Sequence, residues 1–233
     1  MSTDLSIVIP TFNRADTVPL VLASIEEARG GLAVETILVD DGSTPPAAEA
    51  LRGRTPAPGR IIRQDNQGLL FARLAGLREA LGEFVLFLDS DDLVAPQKLR
   101  RQIAAMREQN ADVSYTDSTR VQLGTSLADT TPIAAEAPLP VAEDAADFFI
   151  RVQPPPHSPV FRTDWLRAIV ARPLFAPSAA YNPVAEIWFY HIASVHAAKV
   201  IKVTGADTHA LIGQHAGARI TGNWEDGGSR RWP

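Results

Sequence analysis

Cysteine is absent from the 233 residues, so neither a disulfide nor a thiolate metal site can form. Long apolar runs are absent too: none reaches the about 18 residues that a membrane span needs. No dense Lys/Arg run occurs and the formal net charge is -5, which argues against nucleic acid as the main partner. The pair Arg230-Arg231 is too short to change that. No internal repeat is visible. Met1-Ser2-Thr3-Asp4 leads straight into a strand pattern and carries no signal-peptide signature. These absences lead to the expectation of a cytoplasmic protein, with peripheral contact at the inner face of the membrane left open. What is present is the composition of a soluble globular chain, 45% hydrophobic and 21% charged, long enough for one full α/β domain.

One stretch stands out. Phe84-Val85-Leu86-Phe87-Leu88 reads as a strand buried on both faces, and Asp89-Ser90-Asp91-Asp92 crowds its C-terminal end. Carboxylates that close repel one another, and a dry sheet beside them raises the cost. A bound cation relieves both costs. Hard oxygen ligands suit Mg²⁺ or Mn²⁺ carrying a substrate's phosphates. The alternative is an acidic turn ahead of the helix that begins near Pro96.

Strands and helices alternate through the first half. Strands are expected at Leu5 to Ile9, Thr36 to Val39, Arg60 to Arg63, Phe84 to Leu88 and Val113 to Thr116. Helices are expected from Asp16 or Thr17 onward, at Ala47 to Leu51, at Leu70 to Leu81 and from Pro96 to about Gln109. The first helix sets Val18, Val21, Leu22, Ile25 and Ala28 on one face, and the third sets Leu70, Leu74, Leu77 and Leu81 on one face. Such alternation implies a parallel sheet with right-handed crossovers. Residues 124–143 lack a period and are rich in Ala, Thr, Pro and acids, so a long mobile loop is expected. Beyond it, helices are expected at Ala145 to Val152, from Thr163 to Val170 and from Pro183 to Ala198. Strands are expected at Val200 to Val203 and Ala210 to Ile212.

Four loops then follow four strands: Pro10-Thr11-Phe12-Asn13, Asp40-Asp41-Gly42-Ser43, Gln64-Asp65-Asn66-Gln67-Gly68 and Asp89-Ser90-Asp91-Asp92. In a parallel sheet all four open on one edge, where ligands bind. In that order they make residues 5–117 resemble the family 2 glycosyltransferases, inverting enzymes of the nucleotide-sugar-binding GT-A fold. The run Gly68-Leu69-Leu70-Phe71-Ala72-Arg73 belongs to the resemblance; Leu74 stands where the family often has Asn. The fold implied is α/β, with a mostly parallel central sheet flanked by helices. Residues 1–118 would form the donor half, and 119–233 the acceptor and catalytic-base half of the same domain. A nucleotidyltransferase would need a Gly-rich phosphate loop after the first strand, which Pro10-Thr11-Phe12-Asn13-Arg14 does not supply.

The resemblance implies a metal-dependent hexosyl- or N-acetylhexosaminyl-transferase that uses Mn²⁺ or Mg²⁺ and a nucleotide-sugar donor, with UDP-sugar expected. The acceptor would be a glycan, a lipid-linked molecule, a protein or a small molecule. Pro10, Thr11, Asn13, Asp41, Arg73, Asp89 and Ser90 would bind the donor, with Asp41 accepting from the uracil ring. Asp89, Asp91, Asp92 and His215 would hold the metal. Glu186 would be the catalytic base, in the segment Val184-Ala185-Glu186-Ile187-Trp188-Phe189-Tyr190-His191; Ala185 stands where the family pairs a second acid. Gly213 stands where an Arg usually precedes the His.

The residues leave other readings open. Arg73 could form a helix-surface salt bridge, Asn13 could bond its own turn, and Glu186 could simply favour its helix dipole. His215 could be an exposed loop residue; His157, after three prolines, could line the acceptor pocket, but is not expected to belong to a site. Three consecutive aromatics, Trp188 to Tyr190, cannot all face one core. The rival to an enzyme is a degenerate, non-catalytic nucleotide-sugar-binding module of a larger glycan-synthesis assembly.

Overall fold

The computed structural model of the chain describes residues 2–214. Strand β1 (Leu5–Thr11) is buried along its whole length, as a run of aliphatic residues in a central parallel strand should be. Helix α1 (Val18–Arg29) buries the five apolar positions that its spacing predicts. Next come β2 (Val34–Asp41), the single turn α2 (Ala47–Ala50), β3 (Arg60–Gln64), α3 (Leu69–Glu79), β4 (Phe84–Phe87), the two-residue β5 (Leu93–Val94), α4 (Lys98–Gln109) and β6 (Val113–Tyr115). Beyond them lie β7 (Ser118–Gln122), β8 (Thr131–Ala135), α5 (Ala145–Asp147) with a π-helical turn Phe148–Val152, β9 (Val160–Arg162) and α6 (Thr163–Ala171). A 3-10 helix Ala179–Val184 leads into α7 (Ala185–Ala193), followed by β10 (Val200–Lys202) and β11 (Ala210–Gln214).

The main sheet runs β10-β6-β9-β4-β1-β2-β3. Every pairing in it is parallel except those of β9, which lies antiparallel between β4 and β6. Side chains alternate across the sheet. Val8, Val39, Val85 and Phe87 face a layer that holds Leu70, Leu77, Leu166 and Trp188. Ile7, Ile9, Leu38 and Leu86 face one that holds Val21, Ile25, Leu99 and Met106. Each such side chain contributes about 1.5–3 kcal/mol by leaving water. A smaller sheet, β5-β11-β7-β8, stands beside the end of β4. Among the described residues no helix is long and apolar enough to cross a membrane.

Several expectations fail for local reasons. Residues 124–143 are not one loop, because β8 pairs antiparallel with β7. All five residues of β8 are exposed on an outer edge, so no alternation marks them. Helix α3 ends at Glu79, which leaves Leu81 72% exposed rather than on the buried face. Helix α7 is shorter than the expected 183–198: Pro183 falls in the 3-10 turn and the helix stops at Ala193. Trp188, Phe189 and Tyr190 are all buried. Helix α7 is enclosed by α3, α6, the π-helical turn and the 3-10 turn, so several of its faces are interior.

Candidate functional site

Because β1 to β4 are parallel, the loops after them share one edge, and hydrogen bonds stitch them together. Asn13 takes a positive φ of 51°. Its N–H donates to Ser43 Oγ at 2.9 Å and its Oδ1 accepts from Thr44 N at 2.8 Å. Asn13 thus bonds the next loop, not its own turn. Asp40 is buried and accepts from Ser43 N and Ala47 N, each at 2.9 Å, and from Arg63 Nη1 at 2.5 Å. Burial alone would raise its pKa; these donors and the Ser43 hydroxyl outweigh that and hold it below the usual carboxylate value. Gly42, at φ 85°, passes so close to Asn66 that a Cβ would lie 2.9 Å from Asn66 N.

Asp41 reaches across to the third loop. Its Oδ1 accepts from Gln64 Nε2 at 2.7 Å and Gln67 N at 2.9 Å, and its Oδ2 from Gly68 N at 2.8 Å. A carboxylate offers about four acceptor positions, so about one remains for a ligand N–H. Pro10 and Thr11 are buried at the end of β1, and Thr11 Oγ1 has no hydrogen-bond partner among the described residues. Phe12 beside them is half exposed.

Arg73 lies one turn into α3 and is only 1% exposed. Its Nη2 donates to Asp89 Oδ1 at 2.7 Å, and its Nη1 lies 3.5 Å from Glu186 Oε2. It is therefore no surface salt bridge. Burial alone would lower its pKa; the charges of Asp89 and then Glu186 overcome this and raise it. Glu186 sits in the first turn of α7. One turn later, the Tyr190 hydroxyl donates to Pro154 O at 2.6 Å; burial, then the charge of Glu186, pushes its pKa well above 10.

The remaining acids after β4 turn to separate partners. Asp91 pairs with Arg14. Asp92 is nearly buried, accepts from Gly213 N at 2.9 Å through Oδ1, and lies 3.0 Å from His157 Nδ1 through Oδ2. The buried ring of His157 is not aligned for a hydrogen bond there. Ser90 is buried, and its carbonyl accepts from Thr17 Oγ1 at 2.5 Å. Gly213 stands where the loop after β4 presses on β11: a Cβ would fall 2.0 Å from Asp91 O. His215 lies outside the described residues.

Among the described residues, no group of three or more His, Asp or Glu is placed to hold a metal ion. The donor chemistry nevertheless fits a hard divalent cation. Asp89 and Asp91 keep 26% and 16% of their side chains exposed, and Mg²⁺ is commonly held by one or two carboxylates plus phosphate oxygens and water. Asp92, tied to Gly213 and His157, is the least available of the three. His157, for which sequence reasoning favoured no site role, lies against Asp92, and Asn182 is a residue that sequence reasoning missed. Asn182, in the 3-10 turn before α7, accepts from Leu70 N at 3.1 Å and donates to Gln67 O at 3.0 Å. A single polar residue in a loop gives no periodic signal for such a contact.

The family model described as glycosyl transferase family 2 matches residues 6–154. The chain belongs to glycosyl transferase family 2. Its relatives include a succinoglycan biosynthesis protein ExoO of Rhizobium meliloti, 38% identical over 127 residues, which cover 53% of this chain and 36% of that protein. An undecaprenyl-phosphate 4-deoxy-4-formamido-L-arabinose transferase of Pseudomonas aeruginosa is 35% identical over 104 residues, 42% of this chain and 31% of that one. The chain thus spans about a third of the length of these relatives. S. aureus TarS residues 1–349, in a crystal structure with UDP-GlcNAc, superposes with a TM-score of 0.68 at 19% identity, over 95% of this chain and 62% of that one. At that identity the likeness speaks for the fold, which is GT-A.

Proposed function

We propose that this family 2 chain is an inverting glycosyltransferase that moves a sugar from a UDP-sugar to an acceptor hydroxyl by metal-assisted direct displacement. One observation carries the reading. Arg73 joins Asp89, at the end of β4, to Glu186, at the start of α7. The carboxyl end of β4 and the sole acid of α7 therefore meet at one guanidinium.

In this reading, the acceptor oxygen bonds to the anomeric carbon as that carbon's bond to the UDP phosphate oxygen breaks. Glu186 takes the acceptor's proton. Attack from the face opposite UDP inverts the anomeric centre. Asp41, Arg73 and the loop after β1 hold the nucleotide side. Asp89 and Asp91 would hold a divalent cation, whose chemistry is to offset the charge of the departing diphosphate. Phe189 and Tyr190, with Pro156 and Pro159, line the small cavity beside Arg73 and Glu186. The acceptor is a hydroxyl-bearing glycan, lipid-linked molecule, protein or small molecule.

The test is Glu186→Gln, which keeps shape and removes basicity. Transfer, or UDP release to water while the acceptor is unidentified, should fall by about 10²–10⁴. UDP affinity by calorimetry should stay within about threefold. Near-normal turnover would remove Glu186 as base.

A further inference from the structure

Helix α3 begins at Gly68, which has no side chain to cap it. A helix N-terminus leaves backbone N–H groups unpaired, and the capping oxygen normally comes from the first flanking residue. Here Asn182 supplies it from 112 positions away, through Oδ1 to Leu70 N, while its Nδ2 donates to Gln67 O. The fit is close: a Cβ on Gly68 would fall 1.9 Å from Asn182 Nδ2. The N–H groups just before, of Gln67 and Gly68, go to Asp41. One turn further along α3, Arg73 reaches Glu186, four residues after Asn182. Two contacts thus clamp the segment 182–186 against the first turns of α3.

We infer that Asn182 is a positioning residue: by capping α3 across the chain, it fixes the start of α7 and so sets Glu186 against the nucleotide-side residues Asp41 and Arg73. The inference rests on the reading of Glu186 as base. The segment gains from such a tie because the 3-10 turn Ala179–Val184 fully buries none of its residues and has one apolar anchor against the core, Tyr181, which stacks on Phe175. The approach of Arg73 Nη1 to Glu186 is long, at 3.5 Å, and fixes direction poorly alone. A displacement of about 1 Å at a reacting group can cost about 10²-fold in rate.

The experiment compares wild type, Asn182→Ala, Asn182→Asp, Glu186→Gln and the double variant Asn182→Ala/Glu186→Gln. The readouts are UDP release from a panel of UDP-sugars that includes UDP-GlcNAc, with water as acceptor; UDP affinity by calorimetry; and amide exchange over residues 185–190. Asn182→Ala should lower kcat at least about tenfold and leave UDP affinity within about twofold. Asp at 182 still accepts from Leu70 N and should restore kcat to within about threefold. In the Glu186→Gln background, loss of Asn182 should cost nothing further, since a misplaced base cannot matter once the base is gone. A purely structural Asn182 would lower both backgrounds alike, and that result overturns the inference. Exchange over 185–190 should quicken at least about tenfold in unliganded Asn182→Ala; unchanged exchange also overturns it, whether or not any donor turns over. Wild-type turnover by Glu186→Gln would instead remove the base reading, with the clamp still read from exchange.

Discussion

Replacing Lys98 with Met should change the way stability depends on pH more than stability at any one pH. Lys98 is fully buried, and its partners among the described residues are neutral: Gln102 Oε1 at 2.5 Å, Ser158 O at 2.7 Å and Thr116 Oγ1 at 3.5 Å. Burial pushes its pKa well below 10.5. Met has similar length and no charge. At neutral pH two effects oppose each other. The substitution takes from Gln102 Oε1 its close donor, at about 1–3 kcal/mol for an unsatisfied buried acceptor, whereas Ser158 O keeps Gln102 Nε2 at 3.1 Å. Against that, a cation no longer has to be desolvated. The sign with pH is unambiguous. Between the lowered folded pKa and 10.5, the unfolded chain holds one proton more than the folded chain. Wild-type stability relative to Lys98→Met therefore rises with pH, by about 1.4 kcal/mol per unit, and falls again as pH drops toward the folded pKa. Across the window between the lowered folded pKa and 10.5 the difference should move steadily in favour of wild type. Urea unfolding at a series of pH values, followed by tryptophan fluorescence, reads this directly. Parallel stability curves for the two proteins across that range would refute it.

Two further outcomes concern ligands. Asp91→Ala should abolish most of the difference between UDP binding with Mn²⁺ and UDP binding with chelator; equal affinity in wild type under both conditions would sink the metal reading. UDP should bind better than GDP or ADP, and Asp41→Ala should lose that preference together with about 1–3 kcal/mol of stability, because Gln67 N and Gly68 N lose their acceptor; a competition assay won by GDP in wild type would reject the uridine assignment.

The four loops were legible because each follows a strand whose apolar run is long enough to read and whose partner is parallel. Asp40, Asp41, Asp89 and Asp91 could be placed on one edge for that reason, whereas Arg73, on α3, was placed there only by the family resemblance. Two kinds of information were not legible. Residues exposed on all sides, like Thr131–Ala135 of β8, carry no burial pattern, so an edge strand passes for a loop. Contacts between segments distant in sequence leave no local trace: His157 against Asp92 and Asn182 against Leu70 come from loops whose composition says only that they turn. The aromatic run 188–190 misled because helix periodicity assumes one solvent face, and α7 is enclosed on several sides.

The place of β9 bears on how new specificities could be made by recombination. In the proposed reading, exchanging the second half between relatives is the way to change acceptors, with a crossover near residue 118. Yet Val160–Arg162 threads between β4 and β6, with Val160 opposite both Leu86 and Ser114. A graft beginning at 119 therefore carries a foreign strand into the middle of the host's sheet, and its register must suit two host edges at once. A graft limited to 119–159 leaves β9 native and exchanges the segment that sets His157 on Asp92, but it lays a foreign β7 against native β11 in the smaller sheet. The sheet that holds β1 to β4 thus does not end at residue 118: it extends through Val160–Arg162.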